Sequence, residues 1–338
     1  MPRRPDRPGG HGGGSDQRLT DAGGMSATYS ASDKRVALDE LATHVRDGDL
    51  VAVGGGLSSR EPMAVLRALI RAGRSRLQVV GSAHGIDIDL LCGAGAVAKS
   101  LESYVGFEQD FGMAPNYRRA CESGAAEVAD SCCYTVVQQL RAAAYGIPFL
   151  PVRSVRGTGF ESLHPEYLPM TCPFTGDELL LVPALQPDVA IIHAQYGDAH
   201  GNLRIVGPPV ADLLFARASK KVIASVERIV SNDELQTLGG VNVPYFHVAA
   251  IAEVPLGAHP TACYPMYAYD REHTAAYYAA ASASAEVFRT DYLDRYVFGC
   301  PDHAEYLARI GGEARRAHLA TWQDGDAAWM KLYDGAAS

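Results

Sequence analysis

The sequence predicts an α/β fold with an open, mostly parallel sheet covered by helices, followed by a helical C-terminal extension. Short runs that are apolar throughout alternate with segments of helical periodicity, which is typical of strands buried on both faces. The 338 residues, of which 47% are hydrophobic, are enough to form one large core. No internal repeat or interdomain linker interrupts this pattern after residue 35.

The N-terminal segment differs in composition from the rest of the chain. Prolines at positions 2, 5 and 8 precede five glycines within positions 9–14, and apolar residues are nearly absent. Such a segment cannot bury enough surface to offset its ordering entropy. We therefore expect a disordered tail over residues 1–34 and one folded α/β domain over residues 35–338.

The predicted elements follow in order along the folded part. An amphipathic helix is predicted over Lys34–Arg46, and the apolar strands Leu50–Gly54 and Leu77–Gly81 enclose a segment of helical periodicity. A long helix is predicted over Cys132–Tyr145. Further predicted strands are Pro148–Val152, Leu179–Val182, Val189–Ala194, Leu203–Val206, Val222–Val226 and Val248–Val254. The tyrosine-rich stretch Asp270–Tyr333 is mostly helical in pattern, and we expect it to wrap the sheet.

Charge and cysteine content exclude several classes of function. The 30 basic and 39 acidic residues give a formal net charge of −9, which argues against a nucleic-acid-binding surface. The seven cysteines are scattered and include no Cys-x-x-Cys, so free thiols in a reducing cytoplasm are expected. No membrane span or signal peptide is predicted. The charged fraction of 20% is below average, which is consistent with a surface covered by a partner.

The first of two glycine-containing loops follows the strand Leu50–Gly54, at the sheet edge where ligands of α/β proteins bind. Its glycines permit close approach of the backbone to a ligand, and the helix that follows offers free N–H groups to an anion. The spacing of Ser58 and Glu61 is that of a capping box, and Pro62 suits a first helical turn. A merely tight turn is the alternative. The candidate binding residues here are Gly54, Gly55, Gly56, Ser58, Ser59 and Arg60.

The first loop does not have the features of a nucleotide site. Ser59 replaces the third glycine of G-x-G-x-x-G, and no carboxylate lies between Glu61 and Asp87 to bind a ribose hydroxyl. Because no Lys-Ser/Thr pair follows, a P-loop is excluded as well.

The second loop, residues 81–85, directly follows the strand Leu77–Gly81. Gly81 and Ser82 are candidates for ligand contact, with a simple turn as the alternative. A nucleophilic Ser82 with His84 as its base is disfavoured, because adjacent residues rarely meet productively and the chain has no G-x-S-x-G elbow.

Other reactive side chains have plainer interpretations. His259 and Cys263 lack a second pair at metal-site spacing, so we interpret them as loop packing. The cysteine pair at 132–133 lies in a helical apolar pattern and is expected to be buried and inert. His193 and His200 flank a polar loop at the expected sheet edge, where both ligand contact and a turn stay open.

Taken together, the motifs resemble those of the α (A) subunits of family I CoA-transferases, of the glutaconate CoA-transferase type. In the first loop, Gly54, Gly55, Arg60 and Pro62 fall on the positions of the family's glycine loop. The resemblance extends from about residue 35 to 312. Other similar segments are residues 147–152 (IPFLPV), 157–159 (GTG), 181–183 (LVP), 188–195 (DVAIIHAQ), 201–205 (GNLRI) and 257–270 (GAHP, CY, Y and YD).

The resemblance implies one half of an enzyme that moves CoA between an acyl-CoA and a carboxylic acid, which in the glutaconate type is a dicarboxylic acid. In this family a glutamate on the β subunit first attacks the thioester, then passes through an anhydride and becomes a glutamyl-CoA thioester. No glutamate stands in the 81–82 loop, so no catalytic residue is expected in this chain. Backbone N–H groups at 54–56 and 81–82, together with Arg60, would bind the substrates.

The same resemblance sets the expected partners. It implies a β subunit in a heterotetramer or larger assembly, coenzyme A as a substrate, and neither a permanent cofactor nor a metal. Gly56, followed by Leu57, stands where the family has an aromatic residue, which enlarges or loosens the pocket wall and leaves the identity of the acid open.

Two alternatives stay open. The same scaffold resembles CoA-thioester hydrolases that open a ring in steroid degradation, and decarboxylases, for which Glu108 or Glu127 would be the general base. The second alternative is a non-catalytic sensor of CoA esters or sugar phosphates. The acidic net charge and the lack of a DNA-binding module count against it.

Overall fold

The structure, a computed structural model, describes residues 32–321, without the side chains of residues 108 and 109. The predicted tail, apart from its last three residues, lies outside the described residues. So does the end of the predicted helical stretch, from residue 322 onward.

The central sheet has eight strands, of which seven are parallel. They lie in the order β11-β10-β8-β1-β2-β3-β4, and β9 pairs antiparallel with β8. The strands of the chain are β1 (Leu50–Val53), β2 (Leu77–Gly81), β3 (Val97–Glu102), β4 (Glu127–Val128), β5 (Phe149–Val152), β6 (Leu168–Thr171), β7 (Glu178–Pro183), β8 (Val189–Gly197), β9 (Leu203–Arg204), β10 (Val222–Ile229) and β11 (Val248–Glu253). The mostly parallel sheet predicted from the apolar runs is confirmed.

Helices cover both faces of this sheet. Their ranges are α1 (Leu38–Leu41), α2 (Met63–Arg71), α3 (Ile86–Gly93), α4 (Glu108–Phe111), α5 (Pro115–Glu122), α6 (Cys133–Tyr145), α7 (Phe160–Leu163), α8 (Asp212–Ala218), α9 (Asn232–Thr237), α10 (Arg271–Ala283), α11 (Ala285–Phe288), α12 (His303–Arg309) and α13 (Gly312–Ala320). A 3₁₀ turn (Ala42–His44) follows α1, and a π-helical stretch (Arg289–Phe298) follows α11.

The side chains of β1 pack into two apolar clusters, one on each face of the sheet. Val51 and Val53 belong to the apolar cluster formed with α2 and α3, whereas Ala52 belongs to the cluster formed with α6 and α8. Successive side chains of a strand point to opposite faces, so an uninterrupted apolar run is required when both faces are buried. Each large apolar side chain that becomes fully buried, such as Leu66 of α2, contributes about 1.5–3 kcal/mol.

Two of the predicted strands, together with β6, which was not predicted, form a separate antiparallel sheet. Its order is β5-β7-β6, and its small core consists of Val152, Tyr167, Leu180 and Val182. Assigning β5 and β7 to the parallel sheet was therefore wrong. The apolar runs were interpreted correctly as strands, but a run of four to six residues carries no information about which other strand it pairs with.

The helix predicted over Lys34–Arg46 is also much shorter in the structure. The backbone of Arg35 pairs with Ile251 of β11, and helix α1 begins only at Leu38. A backbone that joins a sheet edge is extended, so the first turn of the predicted helix cannot form.

The C-terminal helices cover the face of the sheet on which α2 and α3 lie. Tyr277, Phe288 and Tyr292 belong to the same apolar cluster as these two helices, and the Tyr277 and Tyr292 rings meet edge to face at 4.6 Å. The prediction that a tyrosine-rich helical stretch wraps the sheet is confirmed within the described residues. Among residues 32–321, no helix combines the length and apolarity needed to cross a bilayer.

Candidate active site

The first glycine loop begins where β1 ends, and its shape depends on helix α8. The N–H of Gly54 donates to the Ile191 carbonyl of β8 at 2.8 Å, and the N–H of Gly55 donates to Asp212 Oδ1 at 3.0 Å. A Cβ on Gly54 would lie 2.3 Å from the same Asp212 oxygen, and Gly55 has a φ of +77°. Both positions therefore require glycine.

The side chain of Arg60, a residue of this loop, is bound on the buried side of the loop. Its guanidinium donates to Asp212 Oδ2 at 2.8 Å, to the Pro208 carbonyl at 3.0 Å and to the His193 carbonyl at 3.3 Å. The side chains of Arg60 and Asp212 are 2% and 0% exposed. The structure therefore places the predicted substrate-binding arginine in a buried ion pair that fixes the loop. No local pattern indicated Asp212, which lies far along the chain.

The segment before cis-Pro265 binds the outer part of the loop. The Arg60 N–H donates to the Ala262 carbonyl at 2.7 Å, and the Ala262 N–H donates to the Ser58 carbonyl at 2.8 Å. The Glu61 N–H donates to Thr261 Oγ1 at 3.2 Å. The predicted capping box is wrong, since Pro62 is the N-cap residue and no side chain caps α2.

The two predicted loops lie against each other. A Cβ on Gly56 would be 3.2 Å from the Ala83 carbonyl, and one on Gly85 would be 3.1 Å from the Leu57 carbonyl. This approach follows from the fold, because β1 and β2 are parallel neighbours whose carboxyl ends share one edge. Gly54 to Gly56 are buried, Ser59 and Ser82 are half-buried, and Ser58 is exposed. All eight predicted site residues therefore belong to one pair of adjoining loops.

A cavity opens beside the first loop. Its lining residues are Leu57, Ser58, Ile86, Gly106, Phe107, Asp110, Tyr269 and Thr274. The walls combine the apolar side chains of Leu57, Ile86 and Phe107 with polar groups that include the Asp110 carboxylate, and small-molecule sites commonly combine the two.

Cys133 also lies at the second loop, and the prediction that it is a buried thiol is wrong. The residue is exposed and Cys132 is half-buried. Helix α6 begins at Cys133, and its Sγ lies 3.6 Å from the Ser82 carbonyl oxygen. The buried side chains of α6 begin only with Thr135, so the apolar pattern was extended too far toward the N-terminus.

Beneath the second loop lies a cluster of four titratable groups that sequence reasoning did not connect. His84 Nδ1 lies 2.5 Å from Asp87 Oδ2, and its Nε2 lies 3.9 Å from Glu102 Oε2. Asp87 also accepts hydrogen bonds from the N–H groups of Gly85 and Ile88. The side chains of His84, Asp87, Glu102 and Glu61 are all buried. The spacing His-x-x-Asp at the start of a helix is the one signal that could have joined two of them.

Burial and mutual interaction shift the pKa values of these groups and so determine their charges. Burial alone would lower the pKa of His84, but the carboxylates of Asp87 and Glu102 raise it to about 9. Burial raises the pKa of Glu102 to about 7, against the opposing effect of His84. Burial and the neighbouring Asp87 raise the pKa of Glu61 well above its usual range. At neutral pH the cluster therefore holds an imidazolium beside the Asp87 carboxylate, with Glu61 neutral.

Replacing His84 by Gln should change how stability depends on pH. In the folded chain the pKa of His84 is raised from 6.5 to about 9, so its stabilising effect is complete below pH 6.5 and is lost as pH rises to about 9. We expect the free energy of unfolding, measured with urea across this range, to fall more steeply in the natural chain than in His84→Gln. Equal slopes would contradict this; His318→Gln, in an exposed position, is the matched control.

The other histidines that the sequence singled out serve packing. His193 bonds Ser225 Oγ at 2.8 Å and Glu227 Oε1 at 2.9 Å within the buried sheet. His259 lies between the Tyr306 hydroxyl and Asp270 Oδ2, as the loop-packing interpretation expected. His200 lies in the turn after β8.

Of the two carboxylates considered as a general base, Glu127 lies far from the loops. It is exposed on the edge strand β4 and forms an ion pair with Lys99 Nζ at 2.7 Å. Glu108 begins helix α4, and its side chain lies outside the described part of the structure.

Comparison with known proteins assigns this chain to a family. The family model for coenzyme A transferase matches residues 35–253. The chain belongs to the coenzyme A transferase family. The A subunit of glutaconate CoA-transferase from Acidaminococcus fermentans is 32% identical over 290 residues, covering 81% of this chain and 90% of that subunit. The crystal structure of that enzyme matches with a TM-score of 0.79 and 31% identity, covering 85% of this chain and 95% of that chain.

Members of the family with other activities are equally similar. The IpdA subunit of a cholesterol ring-cleaving hydrolase from Mycobacterium tuberculosis is 34% identical over 288 residues, covering 82% of this chain and 97% of that subunit. A longer Archaeoglobus fulgidus protein is 34% identical over 292 residues, covering 85% of this chain. This chain spans only 64% of the length of that protein. The comparisons thus confirm the resemblance to the α (A) subunits of CoA-transferases and the fold that it implied.

Proposed function

We propose that this chain is the α subunit of a two-subunit CoA-transferase that moves CoA between an acyl-CoA and a carboxylic acid. The observation that carries the proposal is the meeting of two glycine loops at the carboxyl ends of β1 and β2. CoA is then a substrate that arrives and leaves, not a resident cofactor. Membership of the coenzyme A transferase family supports this class of reaction.

The second loop offers hydrogen-bond donors to a developing negative charge. Within residues 32–321, the N–H groups of Ser82 and Ala83 donate no hydrogen bond, and both residues are half-buried. When a thioester carbonyl is attacked, its oxygen becomes an oxyanion that preorganised N–H groups stabilise. The first loop supplies the adjoining wall, and Arg60 supports it from behind through Asp212.

The nucleophile in this proposal comes from a β subunit. Residues 81–83 carry no carboxylate, and Glu61 and Glu102 are buried beneath the loops. A glutamate of the partner would attack the thioester carbonyl and expel the CoA thiolate, leaving an acyl-glutamyl anhydride. The thiolate would then attack the glutamyl carbonyl, which releases the donor acid and leaves a glutamyl-CoA thioester. The acceptor carboxylate reverses these steps.

The substrate acid in this proposal is a dicarboxylic acid, and the assembly is a heterotetramer or a larger complex of α and β subunits. The cavity beside Leu57 would hold the acyl chain against apolar side chains. Gly56 and Leu57 put no aromatic ring into the first loop itself, so the identity of the acid stays open within this proposal. An interface between two subunits would also exclude water from the thioester.

The test is to purify the full chain together with a β-type chain encoded beside it and to assay CoA exchange. We expect exchange between an acyl-CoA and free dicarboxylic acids only when both chains are present. Replacing the partner's nucleophilic glutamate by glutamine is the control and should abolish exchange. Release of free CoA without any acceptor acid would indicate a hydrolase, and it would overturn the proposal, as would the absence of a complex.

A further inference from the structure

His84 fills the space directly in front of Gly81. A Cβ built on Gly81 would lie 2.2 Å from His84 Nε2 and 2.7 Å from Glu102 Oε2. Both side chains are fully buried. The end of β2 therefore approaches an imidazole as closely as only glycine permits.

The backbone of His84 is held as firmly as its ring. Its N–H donates to the Tyr104 carbonyl at 3.0 Å, and its own carbonyl accepts from the Gly106 N–H at 2.9 Å. The ring is fixed at its other side by Asp87, whose Oδ1 binds two backbone N–H groups at the start of α3. The ring itself is held by its hydrogen bond to Asp87 and by the close approach of Gly81, so a displaced ring would disturb the end of β2.

The carbonyl groups and the N–H groups of the second loop differ in whether they have hydrogen-bond partners. The Gly81 carbonyl accepts from Ser103 Oγ at 3.5 Å, and the Ser82 carbonyl lies 3.6 Å from Cys133 Sγ. The N–H groups of Ser82 and Ala83 have no acceptor within residues 32–321. The free donors thus belong to the two residues that follow Gly81, the residue against which the buried His84 ring lies.

Carboxyl groups face His84 from four of the elements packed around it. Asp87 approaches from α3, Glu102 from β3 and Asp212 from α8, and Glu61 approaches from the first loop. Asp212 is neutralised by Arg60, and Glu61 is a neutral acid because burial and Asp87 raise its pKa. Asp87, which bonds the ring directly, is therefore the main group that holds the proton on His84, and Glu102 adds to its effect once it is ionised above its pKa of about 7.

We propose that His84 is a positioning residue of this site: its imidazolium, held between Asp87 and Glu102, fixes the Gly81–Ala83 loop and adds positive charge behind the free N–H groups. The inference rests on the proposed function, in which those N–H groups bind the oxyanion. A cation in a buried, low-dielectric place strengthens oriented donors, and it does so without touching the substrate. His84 itself therefore makes no bond in the reaction.

The kinetic test uses the complete two-subunit enzyme with His84→Gln and, as a matched control, His318→Gln. We expect kcat to fall about 100-fold in His84→Gln, as when one donor of an oxyanion site is lost, with little change in KM. In the natural enzyme kcat should also decline as pH approaches 9, and this decline should be absent from His84→Gln. A natural kcat and an unchanged alkaline limb in that variant would overturn the proposal.

A second variant keeps the inference testable if His84→Gln does not fold. Asp87→Asn retains the ring but removes the carboxylate that holds its proton, so the alkaline decline of kcat should move toward neutral pH. A merely structural role would lower kcat at every pH without moving the limb, and that result would overturn the proposal.

A third measurement separates this inference from the proposed function. In the full chain alone, labelled for NMR, we expect the Ser82 and Ala83 amide resonances to shift with the same midpoint as the His84 ring. If the natural two-subunit enzyme exchanges no CoA but the resonances titrate together, the function is wrong and the positioning role stands. If these amide resonances do not shift as His84 titrates, the positioning role is overturned, whether or not the two-subunit enzyme exchanges CoA.

Discussion

Replacing Asp212 by Asn is expected to lower the free energy of unfolding by about 3–5 kcal/mol, the usual cost of removing one partner from a buried ion pair. The Arg60 guanidinium would stay buried without a counter-charge, since its other acceptors among residues 32–321 are the carbonyls of Pro208 and His193. The N–H of Gly55 would compete for the one remaining oxygen. Urea denaturation of the full chain at pH 7 measures the change.

The matched control makes the same carboxylate-to-amide change in an exposed ion pair. Glu234 lies 3.4 Å from Arg228, and both side chains are largely exposed, so Glu234→Gln should cost less than about 1 kcal/mol. The double variant Arg60→Met with Asp212→Leu removes both charges together and should be less destabilised than Asp212→Asn alone. If Asp212→Asn costs no more than Glu234→Gln, the ion pair does not hold the loop.

Elements with a local signal were predictable from the sequence. The strand Leu77–Gly81 was predicted to the residue, and the helix Cys132–Tyr145 to within one residue, because an apolar run or a helical period is complete within the segment itself. The glycine loops were also found, because the close backbone approaches that they make require glycine. The separate sheet of β5, β6 and β7 was missed, since strand pairing depends on residues far along the chain.

The charged residues of the site show the same limit. Arg60 was identified, but its partner Asp212 is 152 positions away, and no local pattern reveals whether an arginine faces solvent or is buried. Glu102 ends the strand β3, which the sequence analysis missed, so its approach to His84 could not be predicted. What a side chain does in this site is decided by which strands are neighbours, and that order, β8-β1-β2-β3, is a tertiary property.

Gly81→Ala is expected to lower kcat of the two-subunit enzyme by about 100-fold or more. The added Cβ would lie 2.2 Å from His84 Nε2 and 2.7 Å from Glu102 Oε2, which is closer than carbon atoms approach such groups, so the loop or the ring must move. Neither neighbour can yield easily, because both are buried and His84 is bound to Asp87. A small displacement of the Ser82 and Ala83 N–H groups is enough to lose an oxyanion donor.

The control for this substitution is Gly159→Ala. Gly159 has a φ of −60° and its Cβ would meet no atom within 4 Å, so any residue is accommodated and kcat should be unchanged. Formation of the complex with the partner chain, followed by gel filtration, distinguishes a displaced loop from a chain that fails to fold. A Gly81→Ala enzyme that assembles and retains natural kcat would show that the second loop binds no oxyanion, since the predicted first-loop donors Gly54, Gly55 and Gly56 already bond Ile191, Asp212 and Ser59.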